Sequence, residues 1–301
     1  VIRLNTEKGW ARIDSWDDVL TRPGFVTDVD PKAVTLKSII GSYAFSTFLP
    51  CGLSTCHTPH GRGYLVTTGD GRETNIGKDC GKKYFSVDFE SMARTFDREL
   101  RAQERREAII AFQHKIQGIE TRLAELRSGE HGAYWVQRNV YQLTNGRDGI
   151  PQSVAHVLHG LVRRRNGAIT VDRPATPDEI ERMRAQGQRA QHGLTIVTDT
   201  VGQLDGVSAL YAGNDVHELL FGRGKSIETI KGVDVGKLKD SELRQMSKWI
   251  EDIEPLLARS ENWIAAGRRL LTRANIQQLV QFAQDEKERR AMRAFISLLP
   301  E

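Results

Sequence analysis

The sequence predicts a mainly α protein with a small α+β unit at its N-terminal end. Three observations carry that prediction. Apolar residues recur at helical spacing over two long stretches. Short aromatic and β-branched runs separated by glycine-rich turns dominate the first 85 residues. All three cysteines fall in that same early segment, between residues 51 and 80. At 301 residues, 39% hydrophobic and 27% charged, the composition is globular and large enough for two domains. No apolar run approaches the roughly 18 residues of a membrane span, and residues 1–10 carry no signal-peptide pattern. An odd number of cysteines argues against a disulfide framework. The expectation is a cytoplasmic protein with no membrane partner.

The elements follow in order. Ser15 caps a short helix that Arg22-Pro23-Gly24 stops. Residues 43–49 read as a strand, and 63–68 with 73–76 as a hairpin around Gly69-Asp70-Gly71. These complete a unit spanning 1–85. From Asp88 to Arg127 the period becomes helical. Phe89, Met92, Phe96 and Leu100 lead into Ile109, Phe112, Ile116, Ile119, Leu123 and Leu126, the last six in heptad spacing. One helix of some 40 residues would be about 60 Å long, which predicts a helical hairpin or coiled coil. Residues 134–143, 153–164 and 177–186 read as helices, the last capped by Thr176, and 168–171 and 194–198 as strands. A second seam, Leu243, Met246, Ile250, Ile253 and Leu257, precedes helices near 260–271 and 273–298. The expected divisions are 1–85, 86–192 and 193–301.

The chemistry concentrates in Cys51-Gly-Leu-Ser-Thr-Cys56-His57-Thr-Pro-His60, followed by the hairpin and then by Asp79-Cys80. The spacing is C-x4-C-x3-H-x19-C. Zinc takes four tetrahedral thiolate or imidazole ligands, and Cys3His is a common closed set. The expected ligands are Cys51, Cys56, His60 and Cys80, with His57 as the alternative fourth. His60 is preferred because the side chains of adjacent residues diverge, which turns His57 away from Cys56. Asp79-Cys80 opens a helical turn whose dipole favours a thiolate. Three free cysteines and two surface histidines would be the plain alternative, but their clustering within 30 residues favours a metal. A closed shell, with no H-x-E or H-E-x-x-H arrangement, makes the zinc structural. A block this poor in apolar residues would need such a staple.

This order of knuckle, hairpin and helix-borne ligand resembles the treble-clef zinc finger over residues 51–85. It departs from that pattern in having C-x4-C for C-x2-C, and in placing Lys83 and Tyr84 where the helix usually supplies a second ligand. The resemblance implies a metal, and binding to DNA, RNA or protein.

Other signals are weaker. Gly222-Arg-Gly224-Lys225-Ser226 imitates the end of a phosphate-binding loop, but Leu219 stands where the first glycine belongs, so no nucleotide is inferred. His156 and His159, three apart, have no neighbouring ligand. The net charge of +4 is thinly spread: six basic against six acidic residues in 1–50, five against three in 51–85, eight against eight in 86–128, nine against seven in 129–200 and fifteen against fifteen in 201–301. Around the finger stand Arg62, Arg72, Lys78, Lys82 and Lys83, with Tyr64 and Tyr84 as stacking faces for nucleic acid. Arg163-Arg164-Arg165 and Arg289-Arg290-Arg293 are smaller clusters.

The leading expectation is a non-enzymatic zinc-finger binding protein. Its finger would contact DNA or RNA. Its seams, through Ile109, Phe112, Ile116, Ile119, Leu123, Met246, Ile250 and Ile253, would meet a protein partner or a second copy. The alternatives are a protein–protein adaptor or inhibitor with a purely structural zinc, and an enzyme with a site in 130–235.

Overall fold

A computed structural model describes residues 1–7, 9–186, 196–211, 213–222 and 225–301, without the side chains of Asn214, Lys225 and Ser226. The chain is mainly α with some β. By packing it separates into two compact units: residues 1–111 with 234–247, and residues 112–233 with 248–301. These differ from the expected divisions at 85/86 and 192/193, the second of which lies outside the described residues. The first unit runs past residue 85 because Phe89, Ala93 and Phe96 belong to the core beneath its sheet.

In the first unit, strands β1 (Ile2–Thr6), β2 (Gly9–Ile13), β3 (Leu36–Pro50), β4 (Pro59–Thr68) and β5 (Glu73–Gly77) form one antiparallel sheet in the order β2-β1-β3-β4-β5. Only part of β3 and the β4–β5 hairpin were legible in the sequence; β1 and β2 were not. The hairpin turns at Gly71, whose φ of +88° explains its glycine. On β4, Leu65 packs with Ile2, Leu4, Val19 and Tyr43, while Tyr64 and Val66 pack with Ile76, Phe89 and Phe96. A strand covered on both faces reads as an unbroken apolar run. These two clusters give the unit a larger core than its composition suggested.

Helix α1 (Asp17–Leu20) is the short helix expected after Ser15, whose Oγ accepts from the Asp17 amide. Helix α2 (Lys78–Gln113) breaks at Ser86, where φ is +50° and ψ −130°. The Phe89 ring lies directly against Gly81, leaving no room for a β-carbon there, and Lys82 pairs with Glu90 across the same break.

The second unit holds α3 (Ile116–Ser128), α4 (Ala133–Asn145), α5 (Gln152–Arg164), β6 (Ala168–Pro174), α6 (Pro177–Ala185), β7 (Ile196–Gln203), α7 (Asn214–Phe221) and α8 (Lys225–Gly232). Next comes α9 (Asp240–Leu270), whose first residues belong to the first unit, and then α10 (Arg273–Gln277) and α11 (Glu286–Ser297). Strands β6 and β7 pair antiparallel. Residues 194 and 195 of the expected second strand, and Arg223 and Gly224 of the Gly222–Ser226 motif, lie outside the described residues. Thr176 and Glu179 form a reciprocal capping box at α6. The main core gathers Leu143, Leu158, Leu161, Ile169, Leu270, Ile276 and Met292. Stretches expected as separate helices at 243–257 and 260–271 are one helix that carries Pro255.

Two expectations about the seams need correction. The 40-residue helix is interrupted at His114-Lys115, between α2 and α3. There the Gln113 amide donates to the carbonyls of Ile230 and Val233, and Lys115 N–H to Phe112 O. The heptad count crosses this turn without losing step, so spacing alone conceals it. Moreover, Ile109, Phe112, Ile116, Ile119, Leu123 and Ile253 are buried within the chain itself, and Met246 and Ile250 are half-buried. Apolar side chains that this chain already covers are core rather than a surface for a partner.

Candidate metal centre

The site is built where β3 ends, a tight loop follows, and α2 begins. The loop is pinned by backbone. Cys51 N–H donates to Thr58 O, Cys56 and His57 N–H to Leu53 O, and Gly52 N–H to Asn75 O. Val29 N–H donates to Gly52 O and Ser54 N–H to Val29 O, fixing the loop from its other side. A β-carbon at Gly52 would collide with the Thr74 hydroxyl, so only glycine permits this approach.

These constraints bring Cys51 and Cys56 to Cys80 in the first turn of α2. Their three sulfur atoms lie within 4.8 Å of one another, and Cys56 Sγ and Cys80 Sγ are 3.2 Å apart. Thiolates at about 2.3 Å from a tetrahedral zinc stand about 3.8 Å apart, so the spacing fits a metal ion. Burial and the neighbouring thiols push Cys80 up to about 12. Burial also raises Cys51, against hydrogen bonds from the Leu53 and Gly77 amides. At Cys56 burial is outweighed by hydrogen bonds from the Thr58 hydroxyl and amide and from the other thiols, which hold it at about 7. With Cys56 lowered and Cys51 and Cys80 raised, the three thiols do not all ionise together without a cation.

Neither histidine joins the three sulfurs. His57 adopts a φ of +47° and sets Nε2 3.1 Å from Asp28 Oδ1, on the exposed side of the loop. His60, on β4, stacks on Tyr43, with Nδ1 2.9 Å from the Tyr43 hydroxyl. Its ring rests on Gly77, where a β-carbon would not fit. Its Nε2 is buried and has no hydrogen-bond partner. Burial lowers its pKa and favours neutral imidazole, the form that ligates metals. The Asn75 amide donates to Pro50 O at 2.9 Å and to the Tyr43 hydroxyl at 3.3 Å, tying this group to the cysteine loop. No sequence signal marked Asn75 or Tyr43, because a polar residue inside a strand usually faces solvent.

Around this centre the basic residues divide. Arg72 pairs with Asp70 and Lys82 with Glu90. Lys83 lies 5.2 Å over the Tyr84 ring, whose hydroxyl donates to Thr55 O. Arg62 and Lys78 are exposed and have no ion pair among the described residues. Lys78, Lys82 and Arg94 border a cavity of about 430 Å³ shared with Asp79, Glu90 and Asp97. Tyr64 is not a stacking face. It is 8% exposed, its hydroxyl donates to Asp97, and Phe89 and Phe96 meet its ring edge-on. Alternation along β4 points it into the core.

No helix among the described residues is long and apolar enough to cross a membrane. Comparison of the chain with protein-family models, curated proteins and solved structures gives no match.

Proposed function

We propose that this is a non-enzymatic, zinc-stabilised binding protein whose N-terminal unit contacts nucleic acid beside the metal centre. The convergence of the Cys51, Cys56 and Cys80 sulfurs carries the reading. His60 is the fourth ligand. With Nδ1–H donating to the Tyr43 oxygen, its buried and unpartnered Nε2 presents the lone pair that a ligand needs. A closed Cys3His shell supports structure rather than catalysis. The contact surface is narrower than the sequence suggested: Arg62, Lys78 and Lys83 remain available, whereas Arg72 and Lys82 already serve Asp70 and Glu90. The adaptor alternative draws less support, since the side chains it requires on the seams are largely buried.

Elemental analysis of purified protein should find about one zinc per chain, and Cys80→Ser should lose it. Less than half an equivalent, or unchanged metal in Cys80→Ser, would refute the centre. Binding to labelled oligonucleotides through three such cations should weaken about 20- to 40-fold between 50 and 200 mM salt. Replacing Lys78 and Lys83 by Glu should leave only Arg62 and cut the finger's share of that dependence to about threefold, and binding indifferent to salt would rule out the finger contact.

A further inference from the structure

The two-helix segment 133–165 carries five arginines (Arg138, Arg147, Arg163, Arg164, Arg165) and one acid, Asp148. Five minus one is +4, equal to the formal charge of the whole chain. Averaging over 129–200 hides this, because six of that stretch's seven acids lie outside the segment. Helix α4 buries Ala133, Val136 and Leu143. Its outer face runs Tyr134, Arg138, Tyr141 at i, i+4 and i+7.

That face is unusual for a solvated helix. Tyr134 is 53% exposed and Tyr141 48% exposed. Neither Arg138 nor Arg147 forms an ion pair among the described residues. Both rings are held from one side: Tyr134 packs against Phe221 at 5.7 Å, and the Arg147 guanidinium lies 5.3 Å over Tyr141. Seven residues of helix separate the two tyrosines by about 10 Å, close to the rise of three stacked nucleotides at about 3.4 Å each. Beside them, Arg138 also borders a cleft of about 390 Å³ floored by Trp135 and Phe295. Arg163 and Arg164 suit the C-terminal end of α5 electrostatically, yet they add to the same positive field.

We infer that the Tyr134–Arg138–Tyr141 face, with Arg147, is a binding surface for single-stranded nucleic acid, separate from the metal centre. Bases stack on the open faces of the two rings and phosphates meet the two arginines, as aromatic and basic side chains combine in sequence-tolerant single-strand binders. A duplex keeps its bases stacked on each other and offers the rings nothing.

The test is fluorescence anisotropy of the full chain with labelled dT20, U20 and a 20-base-pair duplex at 50 and 200 mM salt. Tyr134→Ala with Tyr141→Ala should weaken dT20 or U20 binding at least tenfold and leave duplex binding unchanged. Tyr134→Phe with Tyr141→Phe should stay within about twofold of the parent, since Phe retains the stacking face. Arg138→Gln with Arg147→Gln should reduce the single-strand salt slope by about 1.4. All these side chains are at the surface, and circular dichroism is the check that each variant is folded. The inference is overturned if neither single strand binds, or if the alanine pair binds as the parent does. It is also overturned if the phenylalanine pair loses as much as the alanine pair. Loss with Lys78→Glu and Lys83→Glu alone would credit the finger and overturn this surface.

Discussion

Two buried asparagines, one in each unit, hold irregular backbone in place, and they differ in how completely their surroundings are satisfied. Asn275, 7% exposed, donates to the carbonyls of Leu270 and Asp205 at 2.9 and 3.0 Å and accepts from the Asp205 amide at 3.1 Å. Every group it meets has a partner. Asn75, 2% exposed, likewise ties Pro50 O and the Tyr43 hydroxyl. Its network, however, runs on through Tyr43 to His60 and stops at a buried Nε2 without a partner, in the same unit as three thiols that share one small volume. Native interiors rarely leave a buried polar atom unpaired. The first network is complete as it stands, whereas the second leaves one buried acceptor open to a ligand.

The largest effect separating these regions is expected at Asn275. Asn275→Ala takes this partner from the buried Leu270 carbonyl and the partly buried Asp205 amide, at a cost of about 3 kcal/mol. Urea unfolding should show it as a lower midpoint, equal with and without a zinc chelator. A loss that depends on the chelator would break the contrast.

Asn75→Ala should cost less in metal-free protein, about 2 kcal/mol, because part of its network is already unsatisfied. With zinc bound the loss should be larger, since the Tyr43–His60 pair then orients a ligand. The coupling should be about 1 kcal/mol in a cycle that combines Asn75→Ala with Cys80→Ser. Strict additivity would detach Asn75 from the metal.

What was legible in the sequence follows the same division. The cysteine spacing and the glycine turn of the β4–β5 hairpin are local signals, and the three thiols do converge. Helices α4, α5 and α6 were visible because period and caps act within a few residues. Tyr64 and Tyr84 looked alike because composition does not say which face of a strand is covered, and helix α2 covers that of Tyr64. The seam from Ile109 to Leu123 was legible as apolar but not as internal, because periodicity reports that a face is buried and not by what. Strand β3 is legible only over residues 43–49, because its first half shifts register against β4 between Leu36 and Ser38 and again between Ile39 and Gly41, which breaks the alternation there. Asn75 and Asn275 were invisible for a related reason: their partners are backbone atoms, and backbone leaves no trace in composition.

The smallest effect lies where a polar network is complete but open to water. Arg173 on β6 pairs with Glu179 on α6 and with Asp199 on β7. Hydrogen bonds from Arg173, then from the Thr176 amide, hold the Glu179 carboxyl down at about 2. Because the folded value lies below the unfolded one, the pair's contribution is present above the ordinary carboxylate range near 4 and drains away as pH falls through about 2. Exposed pairs of this kind are screened by solvent and salt. Glu179→Gln should therefore move the melting temperature at pH 7 by no more than about 2 °C, and by nothing at pH 2, where the parent carboxyl is itself partly protonated. Calorimetry at both pH values checks this. A shift as large as that of Asn275→Ala would mean that completeness of the network, rather than its burial, sets the energetic weight of a polar cluster in this chain.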